Sequence, residues 1–160
     1  MDDFPGFIAV ETGEENALPL AIAWALPDGQ VKHTLIQPDD DWLDEELLQL
    51  GDYSLEELRT LGVSPLDVLR ELGDDYNSVT MYTAGVSDDE AALSRLFDDF
   101  GVDPFVELAP AESLYPDLSG GEWARARSEL FGELGLEPLR PEHEVQVMLY
   151  LHQRLSQTPD

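Results

Sequence analysis

The chain has 160 residues, a length that fits one domain, and 42% of them are apolar, which is enough to build a core. It carries 35 acidic and eight basic residues, a net charge of −27. That charge disfavours binding to phosphate backbones. Cysteine is absent, which excludes disulfides and thiolate metal sites. The acidic start is unlike a signal peptide and no apolar run approaches about 20 residues, so we expect a cytoplasmic protein without membrane contact.

The acidic residues are unevenly distributed along the chain. Residues 1–118 hold 28 acids and four bases, whereas residues 119–157 hold six acids and four bases. The bases are seven arginines and one lysine, a composition that also suits a protein from a salty cell. The negative charge is therefore either an adaptation to high salt or part of a surface that has a specific role.

Three strands are predicted in the first quarter of the chain. Residues 6–11, 17–26 and 30–37 are apolar or alternating, and the turn sequence Pro27-Asp28-Gly29 separates the second from the third. Short connections between successive strands favour an antiparallel meander.

Two helices are predicted next. Ser54 and Glu57 have the spacing of a capping box, and Ser64 followed by proline is typical of a helix start. The second helix is expected to end at Gly73.

The second half of the chain predicts two strands, at 78–83 and 104–108, with a helix between them. That helix has a capping box at 87–90, an apolar face at Leu93, Leu96, Phe97 and Phe100, and an end at Gly101. Two further helices are expected, one capped by residues 119–122 and running to about 134, the other running from Pro141 to about 155. A strand–helix–strand unit predicts parallel pairing, so we expect one α/β domain over residues 1–160.

Several strings in this order resemble the DnaQ-like 3′–5′ exonucleases of the DEDDh type, which have the RNase H-like fold. The resemblance extends over residues 6–156. The similar strings are FIAVET at 7–12, AIAW at 21–24 with the turn at 28–29, QP at 37–38 with Trp42, LGVSPLDV at 61–68, the region 79–93, and PEH at 141–143. The resemblance implies a mixed five-stranded sheet, with an antiparallel β1–β3 meander and parallel β4 and β5, flanked by helices.

Members of this family hydrolyse phosphodiesters with two metal ions held by four carboxylates and a histidine that activates water. The first motif places Asp and Glu two residues apart, on the same face of a strand. Here Ala9 and Glu11 occupy these positions, so the resemblance implies one remaining metal ligand, Glu11, and one lost ligand.

The other two motifs are also incomplete. The resemblance places Asp88 (or Asp89) at the second-motif acid and His143 at the general base. Met148 stands where the family has its last Asp, and a thioether does not bind Mg²⁺ or Mn²⁺. Glu144 lies nearby in sequence, but its offset on the helix points it away from the site.

Each of these residues also has an ordinary structural interpretation. Glu11 is alternatively a solvated acid at the end of a strand. Asp88 is alternatively an acid in the first turn of a helix, where it interacts favourably with the helix dipole. His143 is alternatively a polar residue in the first turn of its helix. Met148 shares a helical face with apolar residues, which favours core packing.

Substrate contacts are the least specific prediction. The resemblance assigns Thr12 and Trp42 to the substrate-binding side. Trp42 and Tyr53 are either ring platforms for a base or side chains packed on the core.

Three functional hypotheses follow. The first is a catalytically inactive exonuclease-like domain that needs no cofactor and binds a protein partner. The second is an active 3′–5′ exonuclease on short oligonucleotides, with Mg²⁺ or Mn²⁺ in a rebuilt site. The third is an acidic mimic of nucleic acid that occupies a basic protein.

Overall fold

The described elements follow the order that the sequence predicts, with three strands, two helices, a strand–helix–strand unit and two final helices. The computed structural model describes residues 4–12, 19–38, 53–76, 79–84, 89–118, 121–138 and 140–156. The strands are β1 (Ile8–Thr12), β2 (Pro19–Ala25), β3 (Val31–Leu35), β4 (Val79–Thr83) and β5 (Val106–Pro110). The helices are α1 (Leu55–Leu61), α2 (Pro65–Asp75), α3 (Asp89–Asp99), α4 (Glu122–Leu134) and α5 (Pro141–Ser156), with a 3₁₀ turn at Ala111–Leu114. None of the helices in these ranges is long and apolar enough to cross a bilayer.

The strands form two hydrogen-bonded sheets. Strands β1, β2 and β3 pair antiparallel in that order, and β4 pairs parallel with β5. One parallel bridge, between Phe7 and Tyr82, lies between β1 and β4, and the Tyr82 N–H donates to the Gly6 carbonyl at 2.9 Å. The α/β class, the meander and the parallel pair are confirmed.

Strand β2 is buried on both faces and separates two hydrophobic cores. Its large side chains Leu20, Ile22 and Trp24 lie in one core, and its small side chains Ala23 and Ala25 lie in the other. We call these the α1–α3 core and the α4–α5 core, after the helices that complete them. The small residues allow α5 to approach the sheet closely.

The α1–α3 core contains the apolar faces predicted for its helices. Leu93, Leu96 and Phe97 of α3 are buried, and Gly101 ends the helix region with φ +63°, a conformation that favours glycine. The capping box at Ser54 is present, with the Glu57 N–H donating to the Ser54 hydroxyl at 3.0 Å. The capping box predicted at 87–90 and the cap predicted at 119–122 both lie partly outside the described residues.

The prediction that α2 ends at Gly73 is wrong. The helix continues to Asp75, and the Tyr76 N–H donates to the Leu72 carbonyl at 2.8 Å. Tertiary contacts hold the extra residues, because the Asp75 carboxylate accepts from Trp24 Nε1 at 2.8 Å and lies 2.8 Å from Lys32 Nζ. A local helix-stop signal is overridden here by contacts with the sheet.

Gly62 is required by a close approach between α1 and the end of β3. A Cβ at this position would lie 2.3 Å from the Leu58 carbonyl oxygen and 2.8 Å from the Gln37 nitrogen. Val63, the next residue, forms a parallel bridge with Ile36. The glycine therefore lets the chain enter α2 alongside the sheet.

Acidification should weaken the α4–α5 core through His152. Its ring lies 6.0 Å from those of Phe4 and Phe7 and 5.9 Å from that of Tyr115, whose hydroxyl is 2.9 Å from His152 Nδ1. Burial lowers the pKa of His152 from its ordinary 6.5. The folded state therefore binds the proton less tightly than the unfolded chain, so this stability is complete above pH 6.5 and is lost as the pH falls below it.

The measurement is the melting temperature of the wild type and of His152→Gln across this pH range. Their difference should shrink on acidification, and using the difference cancels the titration of the many surface acids. A difference that stays constant with pH would contradict the assignment.

Candidate functional site

Strand β1 and helices α3 and α5, the three elements that carry the predicted motif residues, lie together. Helices α3 and α5 both contact β1, and the strand alternates between the two cores along its length. Ile8 and Val10 lie in the α1–α3 core, and Ala9 lies in the α4–α5 core. Glu11, two residues after Ala9, continues the same face at the end of the strand.

The Glu11 carboxylate is bound by groups of the protein itself. Tyr53 Oη donates a hydrogen bond to Glu11 Oε1 at 2.7 Å, and Arg140 Nη1 lies 3.6 Å from Glu11 Oε2. The Glu11 side chain is 14% exposed. A largely buried carboxylate is thus compensated by a phenol and a guanidinium.

Arg140 reaches Glu11 from the start of α5. It directly precedes Pro141, whose fixed φ suits the first helical position, and its carbonyl accepts from the Glu144 N–H at 2.8 Å. Its Nε donates to Glu137 Oε2 at 3.1 Å. The Glu137 carboxylate, and then Glu11, raise the pKa of Arg140 further above its already high value, so the guanidinium is permanently charged.

We call Glu11, Tyr53, Glu137 and Arg140 the Glu11 cluster. Within it, burial and then the hydrogen bond to Glu11 raise the pKa of Tyr53 well above its ordinary value. The phenol is therefore a donor throughout the physiological pH range. The cluster pairs one arginine and one phenol with two carboxylates.

Met148 and Ala9 lie in the apolar interior. Met148 is 1% exposed and Ala9 is 5% exposed, and both belong to the α4–α5 core. Neither side chain offers an oxygen ligand. The structure therefore agrees with the interpretation of Met148 as a core residue.

The second-motif candidate Asp88 lies outside the described residues. Its neighbour Asp89, the alternative position, is 3% exposed in the first turn of α3. Asp89 Oδ1 accepts a hydrogen bond from the Val10 N–H at 2.7 Å. This acid thus joins α3 to the backbone of β1 between Ala9 and Glu11.

His143 is engaged by the backbone that leads into α5. Its Nδ1 accepts a hydrogen bond from the Glu137 N–H at 3.0 Å, which fixes the tautomer that carries hydrogen on Nε2. One residue earlier, Glu142 Oε2 lies 2.9 Å from His33 Nε2 of β3. The histidine is therefore held in the same loop-to-helix region as Arg140.

Glu144 points away from the Glu11 cluster and into a buried ion pair. Arg127 Nε of α4 donates to Glu144 Oε1 at 3.0 Å, and Arg127 Nη2 donates to Glu144 Oε2. The side chains are 11% and 4% exposed, and the guanidinium also lies 4.8 Å from the Phe131 ring centroid. This bidentate pair links α4 to α5.

Of the two residues predicted on the substrate-binding side, Thr12 and Trp42, only Thr12 lies among the described residues. Thr12 ends β1 opposite Pro19, where the register shifts between Glu11 and Thr12. Trp42 lies outside the described residues. Tyr53, the other candidate platform, packs against the α1–α3 core and directs its hydroxyl to Glu11.

These residues do not fit a two-metal centre. In the described part of the chain no three His, Asp or Glu side chains converge as a metal site would require. Glu11 contributes one carboxylate, already paired with Arg140, and two hard cations about 4 Å apart need several oxygen ligands.

The sequence matches no known protein-family profile and no curated protein.

Loss of the Tyr53 hydroxyl should destabilise the fold. Tyr53→Phe leaves Glu11 buried with one donor fewer, and we expect the free energy of unfolding to fall by about 1–2 kcal/mol, measured by urea denaturation. Tyr150, which is 47% exposed, supplies the matched control, and Tyr150→Phe should have no effect. Equal effects of the two variants would contradict a specific bond to Glu11.

The sequence pattern does not assign Arg140 to the site, and it indicates Tyr53 only as a ring platform or a core side chain and not as a partner of Glu11. Arg140 precedes a helix-starting proline, a position with no special signature, and its partner Glu11 is distant in sequence. The small number of bases was one available signal. The chain has eight bases among 160 residues and 35 acids, so each base is expected to lie near an acid. A buried acid in particular favours a base beside it.

Proposed function

We propose that the chain is a degenerate RNase H-like domain of the DnaQ-like exonuclease type that binds another protein and hydrolyses no nucleic acid. The Phe7–Tyr82 bridge supports the fold, because extending it would join the two sheets into one mixed sheet in the order β3-β2-β1-β4-β5. The packing of α3 and α5 against β1 supports it as well, since the three motifs would then meet at one strand.

The observation that carries the loss of activity is the ion pair between Glu11 and Arg140. A metal at Glu11 would have to displace a guanidinium that also binds Glu137, and it would gain no ligand from Ala9 or Met148. A fixed positive charge beside the carboxylate also repels a divalent cation. Arg140 therefore supplies the charge compensation that metal ions provide in the resembling enzymes.

The net charge of −27 supports a protein partner over a nucleic acid. Phosphate backbones are repelled over about a Debye length, roughly 8–10 Å at ordinary salt, whereas a basic protein surface is attracted. The described bases are largely committed to ion pairs, with Lys32, Arg127 and Arg154 each bound to acids.

The test is an exonuclease assay on short labelled DNA and RNA with Mg²⁺ or Mn²⁺. We expect no shortening of either substrate by the wild type. Turnover that disappears in Glu11→Gln and persists in Glu129→Gln, an exposed acid on α4, would instead establish an active enzyme with a rebuilt site. Turnover that survives in Glu11→Gln would come from a contaminating nuclease.

A further inference from the structure

Strand β5 has a backbone edge with no strand partner among the described residues. It pairs with β4 on one side only, and none of residues 106–109 takes part in a turn, loop or cap hydrogen bond with another described residue. In a strand with one neighbour, alternate N–H and C=O groups point away from that neighbour. Pro110 has no N–H, so it marks the end of this edge.

A groove runs beside this edge, between β5 and α3. It has a volume of about 320 Å³, and its walls combine apolar and acidic side chains without any base. The lining residues that matter here are Leu93, Phe97, Val106, Glu90 and Glu107. The apolar floor is continuous with the α1–α3 core, to which Leu93, Phe97 and Val106 belong.

The side chains of β5 alternate between the apolar core and solvent. Val106 faces the α1–α3 core and Leu108 packs against it, whereas Glu107 between them is exposed. A strand added to this edge would place alternate side chains over the apolar floor and the intervening ones beside Glu107. The edge therefore favours a segment in which apolar and basic residues alternate.

We propose that the β5 edge binds an extended basic segment of a partner protein by strand addition. The proposal rests on the protein-binding function proposed above and names the chemistry of the partner. A second copy of this chain fits poorly, because two acidic edges on molecules of charge −27 repel each other. A nucleic acid is disfavoured for the same reason.

The experiment uses the intact chain and a short fluorescein-labelled peptide of alternating valine and lysine, with binding followed by fluorescence anisotropy. We expect saturable binding that Glu107→Lys weakens at least about tenfold. Glu129→Lys makes the same charge change on α4, where Glu129 is exposed, and should leave binding nearly unchanged. Circular dichroism of both variants confirms that they are folded.

A second peptide separates strand addition from simple charge attraction. N-methylation of alternate backbone amides removes the hydrogen bonds and keeps the charge, so this peptide should bind at least about tenfold more weakly. Equal binding of the two peptides, equal loss in Glu107→Lys and Glu129→Lys, or no binding at all would overturn the proposal. Sedimentation that detects dimers of the wild type and monomers of Glu107→Lys would assign the edge to a second copy instead.

These results are independent of the nuclease assay. Peptide binding does not require an inactive site, and an inactive site does not require the β5 edge. Nuclease activity together with peptide binding would overturn only the proposed loss of catalysis, whereas inactivity without peptide binding would overturn only the strand-addition surface.

Discussion

Replacing Arg127 with methionine is expected to lower the free energy of unfolding by about 3–5 kcal/mol, because it removes the positive charge beside the buried Glu144 carboxylate. The Glu144 side chain is 4% exposed, and both of its oxygens accept from the Arg127 guanidinium. Methionine preserves most of the apolar stem of arginine, so the loss reports mainly on the charge. Urea denaturation measures it.

Two further variants test this explanation. Arg127→Met combined with Glu144→Leu removes both charges and should recover much of the lost stability. Arg154→Met breaks the exposed pair with Glu133, whose side chains are 57% and 54% exposed, and should cost less than about 1 kcal/mol. If the double variant is as unstable as Arg127→Met alone, the loss comes from packing of the arginine stem and not from removal of the charge beside Glu144.

Met148→Asp, which introduces the acid that the resembling family has at this position, is expected to destabilise the fold by at least about 3 kcal/mol. The Met148 side chain is 1% exposed within the α4–α5 core, so the change removes buried apolar volume and introduces a carboxyl group there. Met148→Leu keeps the volume and should cost less than about 1.5 kcal/mol. Melting temperatures and urea titrations of both variants give the comparison.

The outcome shows whether position 148 lies in the apolar core or reaches solvent. A large difference between the two variants means that the core requires an apolar side chain at this position. If Met148→Asp is as stable as the wild type, the residue reaches a polar, solvated site, and the assignment of Met148 to the core is wrong.

The elements of this fold were largely predictable because their signals are local. The apolar run of β2, the capping box of α1 and the spacing of the apolar residues in α3 each fall within a few neighbouring positions. The parallel pairing of β4 with β5 followed from the helix between them. Such signals depend on backbone preference and burial, which a single segment already encodes.

The site was less predictable because its contacts join distant segments. Glu11 was identified from a motif position, but its surroundings depend on Tyr53 and Arg140, which come from other parts of the chain. Contacts between distant segments also explain why α2 is longer than predicted, because Asp75 binds side chains of β2 and β3 and the helix continues past Gly73. Charge pairs across elements follow from burial in the folded state and leave no periodic signature in the sequence.

Calorimetric titration of Mn²⁺ tests most directly whether Arg140 has replaced metal as the charge that compensates Glu11. The titration is made at a salt concentration that screens the surface acids, on the wild type, on Glu11→Gln and on Ala9→Asp combined with Arg140→Gln. The wild type and Glu11→Gln should both lack saturable binding. The double variant removes the guanidinium beside Glu11 and adds a carboxylate on the same face of β1, so it should gain a saturable site. Saturable binding to the wild type that disappears in Glu11→Gln would contradict the account, because Glu11 would then be a metal ligand despite Arg140.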